Sequence, residues 1–336
     1  MTQDSSLFGA ESLQPASTPP ESDNDPGLEA VRAWFLGQKS YAERFAQAIR
    51  KAIDEVLDGQ RTGRYDLYVK DGSGRVDKTE KTYLGTKVEI VVRAEFDLGY
   101  GDPMDYVISG QHVDAKFTMG NTWTIPQEAM GHICLVIRAD DRKQSFQVGL
   151  LRISEGVLNA GLNNDKKRSV SAASKGKIRW IVEDGKLPVN FLLDLKETAP
   201  SKLEAVFRAS HGYRGSGNGG QLRVNEIFRQ VPGRLVDRTT VVTVATQHDG
   251  PKRVRDARKH LRSEGVIVLG HIKPAPQIAA ELGLPIPEKG SWVSVKLTVV
   301  ADDDPRPSTV INGVRYGIWE EGDVEVEAPV INDSGE

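Results

Sequence analysis

The chain has 336 residues, and 38% of them are hydrophobic, which is enough to bury a core in each of two domains. This composition predicts a globular protein and excludes a membrane-spanning one, because no apolar stretch reaches the length of a membrane span. The net charge of −3 excludes little, since it averages acidic ends with a basic middle.

Charge is unevenly distributed along the chain. Residues 1–30 carry six acids and no Lys or Arg, and residues 301–336 carry ten acids against two Arg. Between Ser201 and Arg262, thirteen Lys and Arg stand against five acids. Such a local excess of positive charge is typical of a surface that binds the phosphate backbone of nucleic acid.

The cysteine content indicates a reducing compartment. Cys134 is the single cysteine, so an internal disulfide is impossible, and its place in an apolar run argues against a catalytic thiol. The N-terminus lacks the charged start and apolar core of an export signal. We therefore expect a cytoplasmic protein with no membrane partner.

Residues 1–27 are rich in Ser, Pro, Asp and Gln and poor in apolar residues, so we expect a disordered acidic leader. From Ser40 to Leu57 apolar residues recur every three or four positions, which predicts a helix. Ser40 and Glu43 have the spacing of a capping box, and Gly59 follows as a stop signal.

A loop is expected from Gly59 to Asp77. Its Arg61 and Arg64 are candidates for DNA contact, and the alternative is that they are ordinary solvated loop charges. The segment from Thr82 to Phe96 is interpreted as a helix that carries Glu89, although its valines favour a strand.

The next segments predict a small mixed sheet. Residues 105–108 and 112–119 are β-rich and are joined by Ser109-Gly110-Gln111, which predicts a tight hairpin. Residues 132–139 and 146–153 are apolar enough for two further strands. We expect a helix to cover this sheet, with acidic residues gathered at one edge.

Within the second predicted strand, Asp114 and Lys116 are two residues apart, so both side chains point to the same face. A carboxylate and an ammonium group in one cleft suit phosphodiester hydrolysis, which needs hard oxygen ligands for Mg²⁺ and a cation near the attacked phosphorus. The pattern alone is weak, because charged residues alternate on the solvent face of many strands. With Glu89 and Asp105 upstream, the working hypothesis is a metal-dependent nuclease.

Residues 159–179 are polar and basic, and we interpret them as a linker between two domains. The second domain is expected to open with a β-like or mixed stretch. The glycine-rich run from His211 to Gly220 lacks the preceding strand and the acid of a dinucleotide site, so it is interpreted as a flexible loop.

Further along, residues 223–231, 239–247 and 251–262 are predicted to be helices, and residues 265–270 a strand. Two or three more strands are expected around 292–300 and 310–319. Helix, turn, basic helix and strand in this order match a winged helix-turn-helix. The basic residues of its last helix are candidates for DNA contact: Lys252, Arg253, Arg255, Arg258 and Lys259. The alternative is an exposed amphipathic helix.

For the chemistry, Asp114 is assigned as the central Mg²⁺ ligand, with Glu89 and Asp105 as further ligands or as acceptors beside them. The carbonyl of Ala115 is a candidate backbone ligand. Lys116 would either position and help deprotonate the attacking water or stabilise the charge on phosphorus, and the residues leave both roles open.

Several segments together resemble the NaeI-type type II (type IIE) restriction endonucleases. Glu89, Asp105, Asp114 and Lys116 have the separations of that family. The similarity covers nearly everything after the first thirty or so residues, and the segments that carry it are 58–64, 78–89, 105–106, 113–118, 131–137, 223–229 and 251–255. The long N-terminal extension is the departure from the family pattern.

The resemblance implies a mixed α/β protein with a restriction-endonuclease-like N-terminal domain and a C-terminal CAP-like winged-helix domain. It implies a bacterial homodimer that cuts a short palindromic duplex and is activated by a second DNA copy bound to the C-terminal domain. Thr79 and Thr82 resemble family residues near the site, and the alternative is that both simply begin a helix.

The expected organisation is therefore a leader at 1–27, a Mg²⁺-dependent endonuclease domain at 28–180 and a DNA-binding effector domain at 181–336. Two other functions remain open. One is a repair or recombination nuclease of the same fold, and the other is a winged-helix regulator without catalysis.

Overall fold

The computed structural model describes residues 25–68, 77–212 and 218–331. The predicted acidic leader therefore lies almost entirely outside the described residues. Its last three residues belong to the fold, because Asp25 caps helix α1 (Pro26–Leu36) by accepting from the Leu28 N–H at 2.9 Å.

Helices and strands alternate irregularly along the chain, as expected for a mixed α/β protein. The remaining α-helices are α2 (Tyr41–Leu57), α3 (Gly59–Thr62), α4 (Lys78–Phe96), α5 (Phe191–Thr198), α6 (Pro200–Arg208), α7 (Gly219–Gln230), α8 (Arg238–Ala245), α9 (Gly250–Leu261) and α10 (Ala275–Glu281). The strands are β1 (Gly99–Tyr100), β2 (Tyr106–Ile108), β3 (Gln111–Thr118), β4 (Thr124–Ile125), β5 (Ile133–Asp140), β6 (Ser145–Arg152), β7 (Leu158–Leu162), β8 (Arg168–Val170), β9 (Arg179–Lys186), β10 (Leu235–Asp237), β11 (Val266–Leu269), β12 (Ser291–Val299), β13 (Ser308–Ile311) and β14 (Val314–Ile318).

The chain divides into two compact units. Of the described residues, the first comprises 25–49, 85–140 and 145–187, and the second comprises 50–68, 77–84, 141–144, 188–212 and 218–331. Strand β9 pairs with β6 and continues the sheet of the first unit.

The main sheet of the first unit has the strand order β1-β2-β3-β5-β6-β9. Only the β3–β5 pair in it is parallel, so the sheet is mixed, as predicted. The predicted hairpin is confirmed: Ser109 and Gly110 both have positive φ, 50° and 74°, which is the conformation of the tight turns that join twisted antiparallel strands.

Helix α4 is confirmed and begins earlier than predicted. Val88, Val91 and Val92 are buried along one of its faces. Packing of this apolar face therefore outweighs the preference of valine for strands. Glu89 lies beside that face and is half-buried.

Helix α2 is also confirmed, but the predicted capping box is wrong. Ser40 has φ of 52°, in the left-handed region, whereas an N-cap residue that bonds to the first turn has extended backbone. Leu57 ends the helix as expected.

The linker interpretation of residues 159–179 is wrong. Strand β8 in this segment pairs with β7 and β4 in a three-stranded sheet. Leu158 and Val170 pack with the buried side chains of Trp123 and Ile178. A few well-placed apolar residues suffice for so small a sheet, and the polar residues between them conceal the pattern.

Beyond residue 180, strand β9 continues to Lys186 and helices α5 and α6 follow, so the stretch expected to be β-like or mixed is mixed. Asn190 caps α5 by accepting from the Leu193 N–H at 3.2 Å, and Pro200 occupies the first turn of α6. Leu195 and Val206 are buried in the core of this unit.

The predicted helices α7, α8 and α9 and the strand β11 are confirmed. Strand β12 is central in their sheet and pairs antiparallel with β10, β11 and β14. Val224, Phe228, Val241 and Val254 form the core beneath the helices. The short elements β10 and α10 were not predicted.

Part of the expected glycine-rich loop is helical. Residues 213–217 lie outside the described part of the chain, whereas Gly219 and Gly220 open α7. A Cβ atom on Gly220 would lie 2.4 Å from the carbonyl oxygen of Ala245, so glycine permits the close approach of α7 to α8. Among the described residues, no helix combines the length and apolar character needed to cross a membrane.

Candidate functional site

Asp114 and Lys116 project from the same face of β3, as their spacing predicted. Lys116 Nζ lies 2.6 Å from Asp114 Oδ2, and Asp114 is only 7% exposed. Lys116 Nζ also donates to the carbonyl oxygen of its neighbour Ala115 at 3.1 Å. An amine and a carboxylate are thus held together at the surface of the sheet.

Asp105 joins this pair through the backbone. Its Oδ2 accepts a hydrogen bond of 2.7 Å from the Ala115 N–H, the amide that lies between Asp114 and Lys116. The residue immediately precedes β2, which pairs with β3, so the hairpin itself brings the second carboxylate to the first.

Glu89 approaches from helix α4. Its Oε1 accepts a hydrogen bond of 2.7 Å from Arg93 Nη2. The same nitrogen donates a hydrogen bond of 3.4 Å to the carbonyl oxygen of Asp105. The hydroxyl of Tyr106 donates to the carbonyl oxygen of Glu89 at 2.9 Å. Two hydrogen bonds therefore tie this turn of α4 to residues 105 and 106, and the Arg93–Glu89 contact lies within the helix.

The pKa shifts show a crowded group of charges. Burial and the nearby Asp105 raise the pKa of Glu89, against the opposing effect of Arg93 and Lys116. Burial also raises the pKa of Asp114, although Lys116 opposes it. Burial lowers the pKa of Lys116, but its contact with Asp114 outweighs burial and the net shift is upward. An added cation would relieve the crowding of carboxylates.

The donor chemistry of the three acids fits Mg²⁺, which prefers hard oxygen ligands and retains several waters. In the described part of the chain, one oxygen of each carboxylate has no hydrogen-bond partner: Asp114 Oδ1, Asp105 Oδ1 and Glu89 Oε2. The same residues do not form a preformed cage, since no group of three acidic, His or Cys side chains in the described chain is close enough to hold a metal.

Sequence reasoning missed two neighbours of the acids. Arg93 follows Glu89 by four residues, a spacing at which opposite charges meet on a helix, and this signal was available. Cys134 Sγ lies 3.5 Å from Asp114 Oδ2 because Cys134 and Asp114 are paired across β3 and β5. Burial raises the pKa of the Cys134 thiol, so it acts as a neutral, weak donor.

Thr79 and Thr82 lie in the first turns of α4 and are exposed. The Thr79 N–H donates to Asp77 Oδ1 at 2.8 Å, and Thr82 Oγ1 donates to the carbonyl oxygen of Lys78 at 3.1 Å. These contacts belong to the start of a helix, the alternative role that the sequence left open.

Arg61 and Arg64 differ in their freedom to contact DNA. Arg61 is exposed and pairs with Asp58 at 2.5 Å. Arg64 is half-buried, and both of its terminal nitrogens bind Glu80, at 2.6 and 3.1 Å. A guanidinium held by a carboxylate in this bidentate way is committed to that partner.

The basic residues of α9 form two sets. Lys252, Arg255 and Lys259 are exposed and recur at positions three and four apart, so they share one face of the helix. Arg253 is mostly buried beside Asp249, at 3.1 Å, and Arg258 Nε donates to the carbonyl oxygen of Val268 at 2.9 Å. Only the first set is fully available to a ligand.

A groove of about 740 Å³ lies along this exposed face. The cations that line it are Lys252, Arg255, Arg258, Lys259 and Arg262. Its apolar lining includes Val266, Ile267, Val268 and Ala275, and the acids Asp256 and Glu327 also line it. Five cations against two acids give the groove a positive charge, which suits an anionic partner.

The chain is similar to known proteins over most of its length. The family model described as restriction endonuclease NaeI matches residues 31–327. The type II restriction enzyme NaeI of Lentzea aerocolonigenes is 39% identical over 312 residues, which cover 91% of this chain and 95% of that relative.

Proposed function

Since the chain belongs to the NaeI family of restriction endonucleases, we propose a role for each of its site residues in DNA cleavage. Membership makes the protein a type II site-specific deoxyribonuclease, a hydrolase whose substrate is double-stranded DNA. The remaining questions are which residues act, which cofactor they need and how DNA is held.

The reaction is assigned to Glu89, Asp105, Asp114 and Lys116. The observation that carries this assignment is the Asp114–Lys116 contact of 2.6 Å, with Asp105 bonded to the amide between the two residues. Asp114 and Asp105 would hold Mg²⁺, assisted by Glu89 and the carbonyl of Ala115. When bound, the ion supplies charge neutralisation at the phosphate and a more acidic water.

Lys116 has the clearest task. Its ion pair with Asp114, at 2.6 Å, favours the charged ammonium form, which suits the amine to stabilising negative charge on phosphorus. Water would attack phosphorus in line with the leaving deoxyribose oxygen: the new P–O bond forms as the water gives up a proton to solvent, and the bond to the leaving oxygen breaks as that oxygen takes up a proton from solvent to become a hydroxyl. Asp114 holds the amine in place throughout.

The second unit is proposed to bind DNA as a winged helix. The supporting observation is its order, α7-β10-α8-α9-β11-β12, in which β12 pairs with both β10 and β11. Helix α9 would enter the major groove, and Lys252, Arg255 and Lys259 would contact phosphates. The first unit would then carry cleavage and the second the effector DNA.

The protein is further proposed to act as a homodimer on a palindromic site, with a second DNA copy as activator. Two-fold symmetry of the protein would match two-fold symmetry of the duplex. Family membership favours restriction over the other two functions considered, a repair nuclease and a regulator without catalysis.

The test is digestion of several plasmids with the purified chain, with Mg²⁺ or with a chelator. Discrete, reproducible fragments that appear only with Mg²⁺ are expected, and sequencing their ends identifies the site and the cut position. Structure-dependent nicking without fixed ends would instead indicate a repair nuclease. Cleavage that survives thorough chelation would exclude the metal assignment.

A further inference from the structure

Arg93 links two of the three acids in the candidate site. Its Nη2 lies 2.7 Å from Glu89 Oε1 and 3.4 Å from the carbonyl oxygen of Asp105. Residues 89 and 93 are one helical turn apart, whereas Asp105 lies beyond the end of α4. The guanidinium therefore bridges helix α4 and the backbone of the residue that precedes the hairpin.

Two aromatic rings fix the guanidinium. Its central carbon lies 4.4 Å from the ring centre of Tyr100 and 5.5 Å from that of Tyr106. Only 16% of the Arg93 side chain is exposed. Arg93 Nε is buried and has no hydrogen-bond partner in the described part of the chain. The two rings and Glu89 thus hold the Arg93 side chain in a position that leaves its Nε–H without a hydrogen-bond acceptor among the described residues.

The contact uses only one oxygen of Glu89. Oε1 is bound by Arg93, while Oε2 has no hydrogen-bond partner among the described residues. Because Arg93 fixes Oε1, the position of Oε2 is also fixed. The Glu89 side chain therefore loses less conformational freedom when Oε2 binds a metal ion.

We propose that Arg93 is a positioning residue, which fixes Glu89 so that Oε2 is presented to the metal ion. This inference rests on the proposed function, because it requires Glu89 to contribute to metal binding. Arg93 itself touches neither the ion nor the substrate in this scheme and acts through Glu89.

An opposing effect makes the proposal testable. The positive charge of Arg93 repels a nearby cation, so its removal would strengthen metal binding if charge repulsion were the larger effect. If orientation of Glu89 is the larger effect, removal weakens metal binding. The two effects predict opposite signs.

The experiment compares Arg93→Met, Arg93→Lys and wild type in the full chain. Binding of Mn²⁺ alone, without DNA, is followed by the electron paramagnetic resonance signal of the free ion. Arg93→Met should weaken Mn²⁺ binding by about tenfold or more, the usual loss when the partner that orients a metal ligand is removed. The Mg²⁺ concentration that half-saturates plasmid cleavage should rise in parallel, with little change in rate at saturating Mg²⁺.

Arg93→Lys separates shape from charge. Lysine keeps the charge but lacks the planar fork, so it too should weaken binding if orientation is the cause. Arg44→Met is the matched control, because Arg44 likewise pairs with a glutamate, Glu95, at 2.9 Å and lies 4.4 Å from the ring of Phe96. It should leave Mn²⁺ binding unchanged.

Two outcomes would overturn the inference: unchanged or tighter Mn²⁺ binding in both folded Arg93 variants, or equal weakening in Arg44→Met. Circular dichroism establishes folding, and if Arg93→Met does not fold, the result for Arg93→Lys decides. Glu89→Gln separates this inference from the proposed function. If Glu89→Gln leaves Mn²⁺ binding unchanged, the ligand assignment itself fails; if only the Arg93 variants are unchanged, the positioning role alone fails.

Discussion

At the residue scale, two opposing effects act on the carboxyl group of Asp114. Burial favours its protonated form, whereas Lys116 favours the carboxylate. The thiol of Cys134 adds a weak donor to the same oxygen that Lys116 binds. The proposed catalytic pair is therefore one charge-paired group, and removing either member leaves the other partly buried and unpaired.

Replacing Asp114 or Lys116 with Ala is expected to lower the cleavage rate by at least ~100-fold, since each removes a charged group acting directly on the reacting phosphate. DNA binding should be largely kept, because most of the proposed phosphate contacts lie on α9. Rates are measured by single-turnover plasmid cleavage and binding by a filter assay.

Cys134→Ala is the matched control for these variants, because it removes only a weak donor from the same carboxylate. Its cleavage rate should stay close to that of the wild type. Near-wild-type cleavage by either the Asp114 or the Lys116 variant would refute the assignment of the pair.

At the element scale, α9 shows why a count of basic residues does not identify those that can reach DNA. A helix turns about 100° per residue, so neighbours such as Lys252 and Arg253 face different surroundings. Arg253 pairs with Asp249 and Arg258 reaches the backbone of β11, while Lys252, Arg255 and Lys259 remain exposed. The exposed set is the better candidate for binding phosphates.

Replacing Lys252, Arg255 and Lys259 together with Ala should weaken DNA binding. It should also lower the slope of log affinity against log salt by about one for each phosphate that the protein no longer neutralises, because fewer counterions are then released on binding. The measurement is binding of a labelled duplex over a series of salt concentrations.

A triple replacement of the exposed lysines Lys39, Lys186 and Lys202 with Ala removes the same net charge away from α9 and serves as the control. If both triple variants change the slope equally, general charge rather than α9 governs binding. An unchanged slope in the α9 variant would show that the recognition helix has been misplaced.

At the scale of the whole molecule, the proposed function requires more than one copy of the chain and more than one DNA site. A single asymmetric site cannot match both strands of a palindrome, whereas a two-fold dimer presents the same surface to each half-site. A regulatory second duplex additionally requires coupling between two binding sites.

Sedimentation equilibrium should therefore give twice the chain mass of 36.9 kDa at micromolar concentration. A plasmid with one recognition site should be cut slowly, and adding a short duplex that contains the site should accelerate cleavage by about 5-fold or more, the lower range of allosteric coupling. The control is a duplex of the same length and composition with the site scrambled.

Equal stimulation by both duplexes would indicate a general effect of DNA rather than an effector site. A monomer that cuts a single-site plasmid at full rate would exclude both the dimer and the activator from the proposal. Cleavage itself, and hence the assignment of the acids, would be unaffected by either result.

Elements whose signals are local in the sequence were predicted correctly, whereas a segment whose structure depends on residues far away in the sequence was not. Helices α2 and α7–α9, the hairpin at Ser109-Gly110 and strands β5 and β6 were predicted because their signals are local. The linker interpretation of 159–179 was wrong, because packing against distant residues, such as Trp123 against Val170, decides the structure of that segment.

By itself, the sequence determined that Asp114 and Lys116 would lie side by side, because alternation along a strand is a property of the covalent backbone. It also carried the family resemblance. Only the tertiary structure decided that Asp105 would bond to the Ala115 amide and that Arg93 would join Glu89 to the hairpin. The hairpin brings Asp105 to Ala115, and packing of α4 against the sheet brings Arg93 to the carbonyl oxygen of Asp105.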